Sequence, residues 1–169
     1  YGPNSFIPVV RDARELEDQN PIYAAFSGNV IGQAFKRDDV RNAALGAYMG
    51  LIKQIDDQMG VLFDYLRDSG QLENTVIAVT SDHGDYMGDH WLGEKDLFHE
   101  PSVKVPLIIY DPSPEANATR GTVCDALVES IDLVPTFVKM AGGAPRDEHL
   151  EGLSLVPFLH GEAPERGRA

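Results

Sequence analysis

Between Asp38 and Ser69 the apolar side chains recur at spacings of three and four: Leu45, Tyr48, Ile52, Ile55, Met59, Leu62 and Leu66. That period lines them along one face of a single helix of about thirty residues. Ala43, Ala44, Ala47, Met49 and Leu51 widen the stripe beyond the narrow seam of a coiled coil, so the pattern predicts a long helix packed on a sheet. Asp38 or Asp39 is expected to cap its start, and Gly70 follows its end. The pattern then switches. Thr75 to Thr80 is a short, β-branched, nearly all-apolar run, as expected of a strand covered on both faces. A second strand is predicted over Val105 to Tyr110, with Pro106 near its start, where no ladder donor is needed. Thr122 to Val128 reads as a short strand or extended segment. IDLVPTFVKMAGG reads as a helix with Asp132 at its N-cap, Pro135 in the first turn and Gly142-Gly143 at its end. Residues 1–37, broken by Pro3, Pro8, Pro21, Gly28 and Gly32, read as an irregular lead-in with at most a short helix. A helix feeding a buried strand is the grammar of an α/β fold.

Composition narrows the function classes. A length of 169 residues with 43% hydrophobic side chains suits one domain with a real core. No apolar run approaches the roughly 20 residues that span a bilayer. The N-terminal stretch has no basic region leading into an apolar one, so no signal peptide is expected, and a cytoplasmic location is the expectation. The Asn117-Ala118-Thr119 triplet fits a glycosylation sequon, which matters only in a secreted eukaryotic protein. A formal charge of −13 argues against nucleic acid and against an anionic membrane surface as partners, since both need clustered positive charge. It also means that an anionic ligand would need local positive charge to hold it. The lone cysteine, Cys124, excludes an internal disulfide and a cysteine-based zinc site, and its expected role is a small buried apolar residue.

The candidate chemistry lies in TSDHGDYMGDHWLGEKDLFHE, Thr80 to Glu100, which holds three of the five histidines and the only tryptophan. Asp82 and His83 come directly after the first predicted strand, and in open α/β sheets ligands bind beyond the carboxyl ends of strands. An oxygen donor beside a nitrogen donor suits a divalent ion of intermediate hardness, such as manganese, zinc or iron. Gly84 lets the backbone turn sharply or another group approach closely. On these residues alone, a capping aspartate beside a packed or exposed histidine stays open. Lys95 lies twelve residues after His83, where an ammonium beside a dication could neutralise charge on a transferred sulfuryl or phosphoryl group; a solvated surface lysine is the alternative. His90 and His99 could each donate to substrate or to a carboxylate, with a structural or surface role as the favoured alternative, while Asp85, Asp89 and Asp96 are expected in turns, caps or solvation. The chain has no HExxH, GxxxxGK[ST], GxSxG or EF-hand pattern.

The ordered signals, namely the long helix, NTVIAVTSDHG, MGDHWLGEK, KVPLIIYDP and IDLVPTFVKMAG, resemble the C-terminal half of the sulfatase core of the alkaline phosphatase superfamily. The central wording is most similar to the phosphonate monoester hydrolase and phosphodiesterase branch. The resemblance implies an α/β fold in which this chain supplies an incomplete part of an alkaline-phosphatase-like sheet sandwiched by helices. It divides the chain into the lead-in at 1–37, the C-terminal half of the catalytic core at 38–165, and a tail at 166–169. It implies Asp82 and His83 as metal ligands, Lys95 as the catalytic and substrate-binding lysine, and His99 as a further substrate-binding residue. The implied cofactor is a divalent ion (manganese, calcium or zinc). The implied nucleophile is a formylglycine made within Cys/Ser-x-Pro-x-Arg, which would attack sulfur or phosphorus of a small anionic ester. No such motif occurs here, and Cys124 is followed by Asp-Ala-Leu-Val. The expectation is therefore a fragment, inactive alone, of a hydrolase that admits a homo-oligomeric state. A catalytically silent binding or structural domain on the same scaffold, and a superfamily phosphodiesterase or phosphomutase with a Ser or Thr nucleophile, are the other readings.

Overall fold

A computed structural model describes residues 8–145, 149–162 and 164; the expected tail at 166–169 lies outside the described residues. Its α-helices are α1 (Pro21–Gly28), α2 (Val30–Phe35), α3 (Asp38–Asp68), α4 (Glu100–Val103), α5 (Leu133–Met140) and α6 (Val156–Leu159). Its strands, β1 (Ile77–Thr80) and β2 (Leu107–Tyr110), form a two-stranded sheet. The fold is α/β, and both strands fall within the predicted runs. Pro106 lies one residue before β2, where its missing N–H breaks no ladder. The 122–128 stretch forms no strand, and Cys124 within it is exposed, contrary to the expected burial.

The long periodic helix forms as expected, with 31 residues, and Gly70 follows it in a left-handed conformation. Asp38 and Asp39 sit inside its first turn instead of capping it. Asp39 accepts from Arg37, and Asp38 pairs with Arg11 at 2.8 Å. The apolar stripe of α3, expected to pack on a sheet, stays open among the described residues: Leu51, Ile52, Ile55, Val61, Leu62 and Tyr65 are exposed. Length is reason enough. A helix of this size runs about 46 Å, whereas a four-residue strand spans roughly 13 Å. For the same reason β1 is not sealed on both faces, and its residues alternate between half-buried and exposed.

The chain divides into two compact units, residues 1–66 with 79–107 and residues 67–78 with 108–169. In the second unit, buried polar residues set the geometry. Asp132, fully buried, accepts the N–H of Glu129 at 2.9 Å and of Leu153 at 2.7 Å. Thr136, one turn on, donates to the Asp132 carbonyl at 2.6 Å and accepts from Leu155 N–H at 2.7 Å. The segment entering α6 is thereby fastened to α5. At the end of β2, buried Asp111 accepts from the Ser113 N–H at 2.8 Å and meets His160 at 3.1 Å, while Arg120 donates to the Asp111 carbonyl.

The first unit contains the departure that matters for function. The lead-in is not irregular over its described part: a 3-10 turn at Ala13–Leu16, α1 and α2 follow one another. Asn20 caps α1, with Pro21 in its first turn, and Asn29 caps α2 by accepting from Gly32 N–H at 2.7 Å. The prolines and glycines thus punctuate helices and do not abolish them. Arg11 then joins this segment to the rest. Its side chain is 8% exposed; it donates to the carbonyls of Gly88 at 2.7 Å and Phe35 at 2.5 Å, pairs with Asp38, and lies 4.9 Å from the centre of the Trp91 ring. Replacing Arg11 by Met keeps the stem but leaves the Gly88 and Phe35 carbonyls without their donor, while Asp38, three-quarters exposed, falls back on water. The expected cost is about 2–4 kcal/mol, read as a lower denaturation midpoint in urea.

Candidate active site

β1 delivers Ser81, Asp82 and His83 at its carboxyl end, so their backbone positions are set by the strand. Asp82 accepts the His83 N–H at 3.0 Å through one carboxylate oxygen, and its other oxygen lies 3.3 Å from His83 Nε2. His83 Nδ1 is 2.8 Å from the Gly84 carbonyl. A carbonyl can only accept, so Nδ1 carries the proton and the Nε2 lone pair faces outward. The Lys95 ammonium donates to that lone pair at 2.7 Å. Three of the residues singled out in the sequence, Asp82, His83 and Lys95, therefore converge on one point. Desolvation is the largest single influence on the Asp82 carboxyl and raises it, but the backbone N–H groups it accepts, that of His83 first among them, and the nearby Lys95 ammonium together outweigh it and hold the group below the ordinary carboxylate range. Asp85, next along, is pushed up by burial in spite of the Met87 N–H that it accepts at 2.8 Å.

Chemically, Asp82 and His83 fit two positions of a divalent coordination sphere. One offers a carboxylate oxygen, the other an imidazole nitrogen whose tautomer is set by a carbonyl. They do not fit a complete one: among the described residues no group of three His, Cys, Asp or Glu side chains is placed to hold a metal.

His99 is held by a different set of partners. Its Nδ1 meets the buried Tyr86 hydroxyl at 2.9 Å, its ring stacks on His90 with centroids 4.3 Å apart, and Tyr23 packs edge-on against it. His90 in turn meets Glu15 at 2.7 Å, and Tyr23 donates to the His90 carbonyl. Burial, with Glu15 and Tyr86 nearby, pushes the Tyr23 hydroxyl up to about 12. Asp89, expected in a turn, a cap or solvation, opens the 3-10 turn Asp89–Trp91, and its side chain accepts the Val10 N–H at 2.9 Å.

Four non-glycine residues of this loop, Met87, His90, Trp91 and Glu94, have φ between 45° and 60°, and Gly88 has 98°. Left-handed backbone is costly for side chains of this size, so something must hold it. The holding groups come from far away in sequence. Arg41, 8% exposed, donates to the Met87 carbonyl at 3.0 Å; Arg11 takes the Gly88 carbonyl, Tyr23 that of His90, and Trp91 reaches back to the Asp12 carbonyl at 2.9 Å. Sequence reasoning missed Arg11, Glu15, Tyr23, Arg41 and Tyr86. Buried arginines and tyrosines that serve carbonyls carry no spacing signature; a crowd of bulky residues in a loop is the only hint.

The Sulfatase family model matches residues 11–144. The multifunctional alkaline phosphatase superfamily protein PehA of Trinickia caryophylli is 42% identical over 113 residues, 66% of this chain and 21% of that protein. An arylsulfatase of Clostridium perfringens is 41% identical over 116 residues, 69% of this chain and 24% of that enzyme. The solved phosphonate monoester hydrolase of Agrobacterium radiobacter superposes with a TM-score of 0.82 at 31% identity, covering 99% of this chain and 35% of that one. The chain thus spans about a quarter or less of the curated relatives' length.

Burial and the neighbouring His90 disfavour the His99 cation, Glu15 opposes them, and the balance lowers its pKa from the usual 6.5. The unfolded chain therefore takes up a proton near pH 6.5 that the folded chain refuses until lower pH. Stability from this group is whole above about pH 6.5 and is lost as pH falls below it. Denaturation midpoints at pH 7.5 and 5.5 should differ more in the wild type than in His99→Gln.

Proposed function

The chain belongs to the sulfatase family of the alkaline phosphatase superfamily, and from that premise we propose that it contributes part of the active site of a metal-dependent hydrolase. The substrates of this reading are sulfate, phosphonate or phosphate esters. The observation that carries it is the convergence of Asp82, His83 and Lys95 at the end of β1, with His83 Nε2 2.7 Å from the Lys95 ammonium.

In this reading Asp82 and His83 hold the divalent ion, of which manganese, calcium and zinc are the candidates. Such an ion supplies Lewis acidity toward an ester oxygen and lowers the pKa of an oxygen nucleophile. Hydrogen-bonding His83 Nδ1 to Gly84 leaves Nε2 as the nitrogen that would coordinate an ion, and Lys95, which donates to that nitrogen here, would give it up and turn to the transferred group when an ion is bound. Lys95 presents a cationic donor to the oxygens of the group being transferred, where negative charge builds up in the transition state. Its local charge also answers the difficulty posed by an overall −13, which would otherwise repel an anionic ester. The reading assigns the nucleophile, a formylglycine, to residues outside this chain, since no Cys/Ser-x-Pro-x-Arg occurs within it. His99 is kept as a candidate contact for the ester, through the ring edge opposite its bond to Tyr86.

The full-length protein provides the test. Asp82→Ala and His83→Ala should each lower bound metal at least tenfold, measured by elemental analysis after dialysis; wild-type metal content would refute the ligand assignment. Lys95→Ala should retain metal and fold while kcat/KM toward matched aryl sulfate and aryl phosphonate esters falls by about two to three orders of magnitude. Unchanged kinetics in that variant would make Lys95 a surface residue.

A further inference from the structure

We infer that Ser102 is a positioning residue that sets the distance between His83 and Lys95, an inference that rests on the hydrolase reading above. Ser102 lies in α4 and is 3% exposed. It makes two contacts that point in different directions along the chain. Its carbonyl accepts the Gly84 N–H at 2.7 Å, next to His83, and its hydroxyl donates to the Lys95 carbonyl. The Gly84 carbonyl accepts from His83 Nδ1, and Lys95 Nζ reaches His83 Nε2. The contacts close a ring: His83, Gly84, Ser102, Lys95 and back to His83.

Each link depends on close approach. A Cβ on Gly84 would lie 2.0 Å from the Pro101 carbonyl oxygen, so only glycine lets the strand end and α4 meet at this distance. Ser102 itself is oriented by its N–H to the His99 carbonyl at 2.9 Å. On the other side of Lys95, the Glu94 carbonyl accepts from Tyr86 N–H at 2.8 Å, although Glu94 is left-handed. Lysine is the least self-organised member of the ring. Its head sits on a flexible four-carbon stem, so its reach is only as well defined as the backbone that carries it. A buried hydroxyl on the Lys95 carbonyl, fastened through its own carbonyl to the residue after His83, defines that backbone. Alanine at 102 would leave the carbonyl without its donor and free the lysine-bearing turn from the strand end.

The test uses the full-length protein in four forms: wild type, Ser102→Ala, Lys95→Ala and the double variant. If Ser102 acts through Lys95, Ser102→Ala lowers kcat/KM for an aryl sulfate or aryl phosphonate about ten- to hundredfold. The double variant is then no worse than Lys95→Ala alone. Losses that multiply in the double variant, or wild-type kinetics in Ser102→Ala, overturn the inference. A second measurement needs no turnover. Acetic anhydride labelling followed by mass spectrometry should show Lys95 acetylated several-fold faster in Ser102→Ala, with Lys53 unchanged as the internal standard. An unchanged Lys95 rate overturns the inference, whether or not the protein hydrolyses esters. A wild type without esterase activity but with a raised Lys95 rate in the variant would refute the hydrolase reading and uphold the ring. Should Ser102→Ala fail to fold, Ser102→Cys, nearly isosteric and a weak donor, takes its place in both measurements.

Discussion

Everything around the candidate site depends on capping carbonyls that a left-handed loop turns away from their neighbours. Residues 87 to 94 repeatedly adopt positive φ, and the carbonyls of Met87, Gly88 and His90 take side-chain donors. Arg11 and Arg41 answer with guanidinium groups that are almost wholly buried, and Tyr23 and Trp91 add two further bonds. Guanidinium suits the task because its planar fork serves several oxygens at once and is less tightly hydrated than an ammonium. Arg11 alone reaches Gly88, Phe35 and Asp38 and covers the Trp91 ring. The lead-in, the start of α3 and the loop are in this way one polar core.

That arrangement separates two tasks along one loop. Its ends, Asp82-His83-Gly84 and Lys95 to Ser102, meet through backbone and a serine hydroxyl and present the chemistry. Its middle, Tyr86 to Trp91, faces the lead-in and supplies anchorage through His90, Glu15 and the arginines, with His99 of the second end stacked on His90. Crowding of histidines in the sequence is therefore not crowding at a single point: His83 and Lys95 share one cluster, and His90 with His99 form another. Strain in the middle is tolerable because it is over-determined by long-range bonds, which in turn keeps the ends in register.

The expectations that departed from the structure did so for a common reason. Proline and glycine in the lead-in punctuate short helices, because Asn20 and Asn29 cap what those residues interrupt. The β1 run looks fully apolar and the α3 stripe looks ready to pack, but two four-residue strands cannot cover a 31-residue helix, and the stripe stays open. Cys124 sits exposed in an irregular segment, where small size and weak polarity do not decide burial. Each of these turns on what lies nearby in space.

Local periodicity and turn chemistry determined what could be read from the sequence alone. The period of α3, the β-branched runs of β1 and β2, the Asp132-led helix and the placing of Asp82 and His83 at a strand end all follow from neighbours within a few residues. Ordered motifs also pointed to the sulfatase family, which the match over residues 11–144 bears out. Tertiary structure alone decided that Lys95 reaches His83 across twelve residues, that His99 stacks on His90, and that Ser102 and the buried arginines hold the loop. The bonds that hold the loop run from side-chain donors to main-chain carbonyls and join residues up to 79 positions apart. Any carbonyl can accept such a bond, so it leaves no mark in the order of residues.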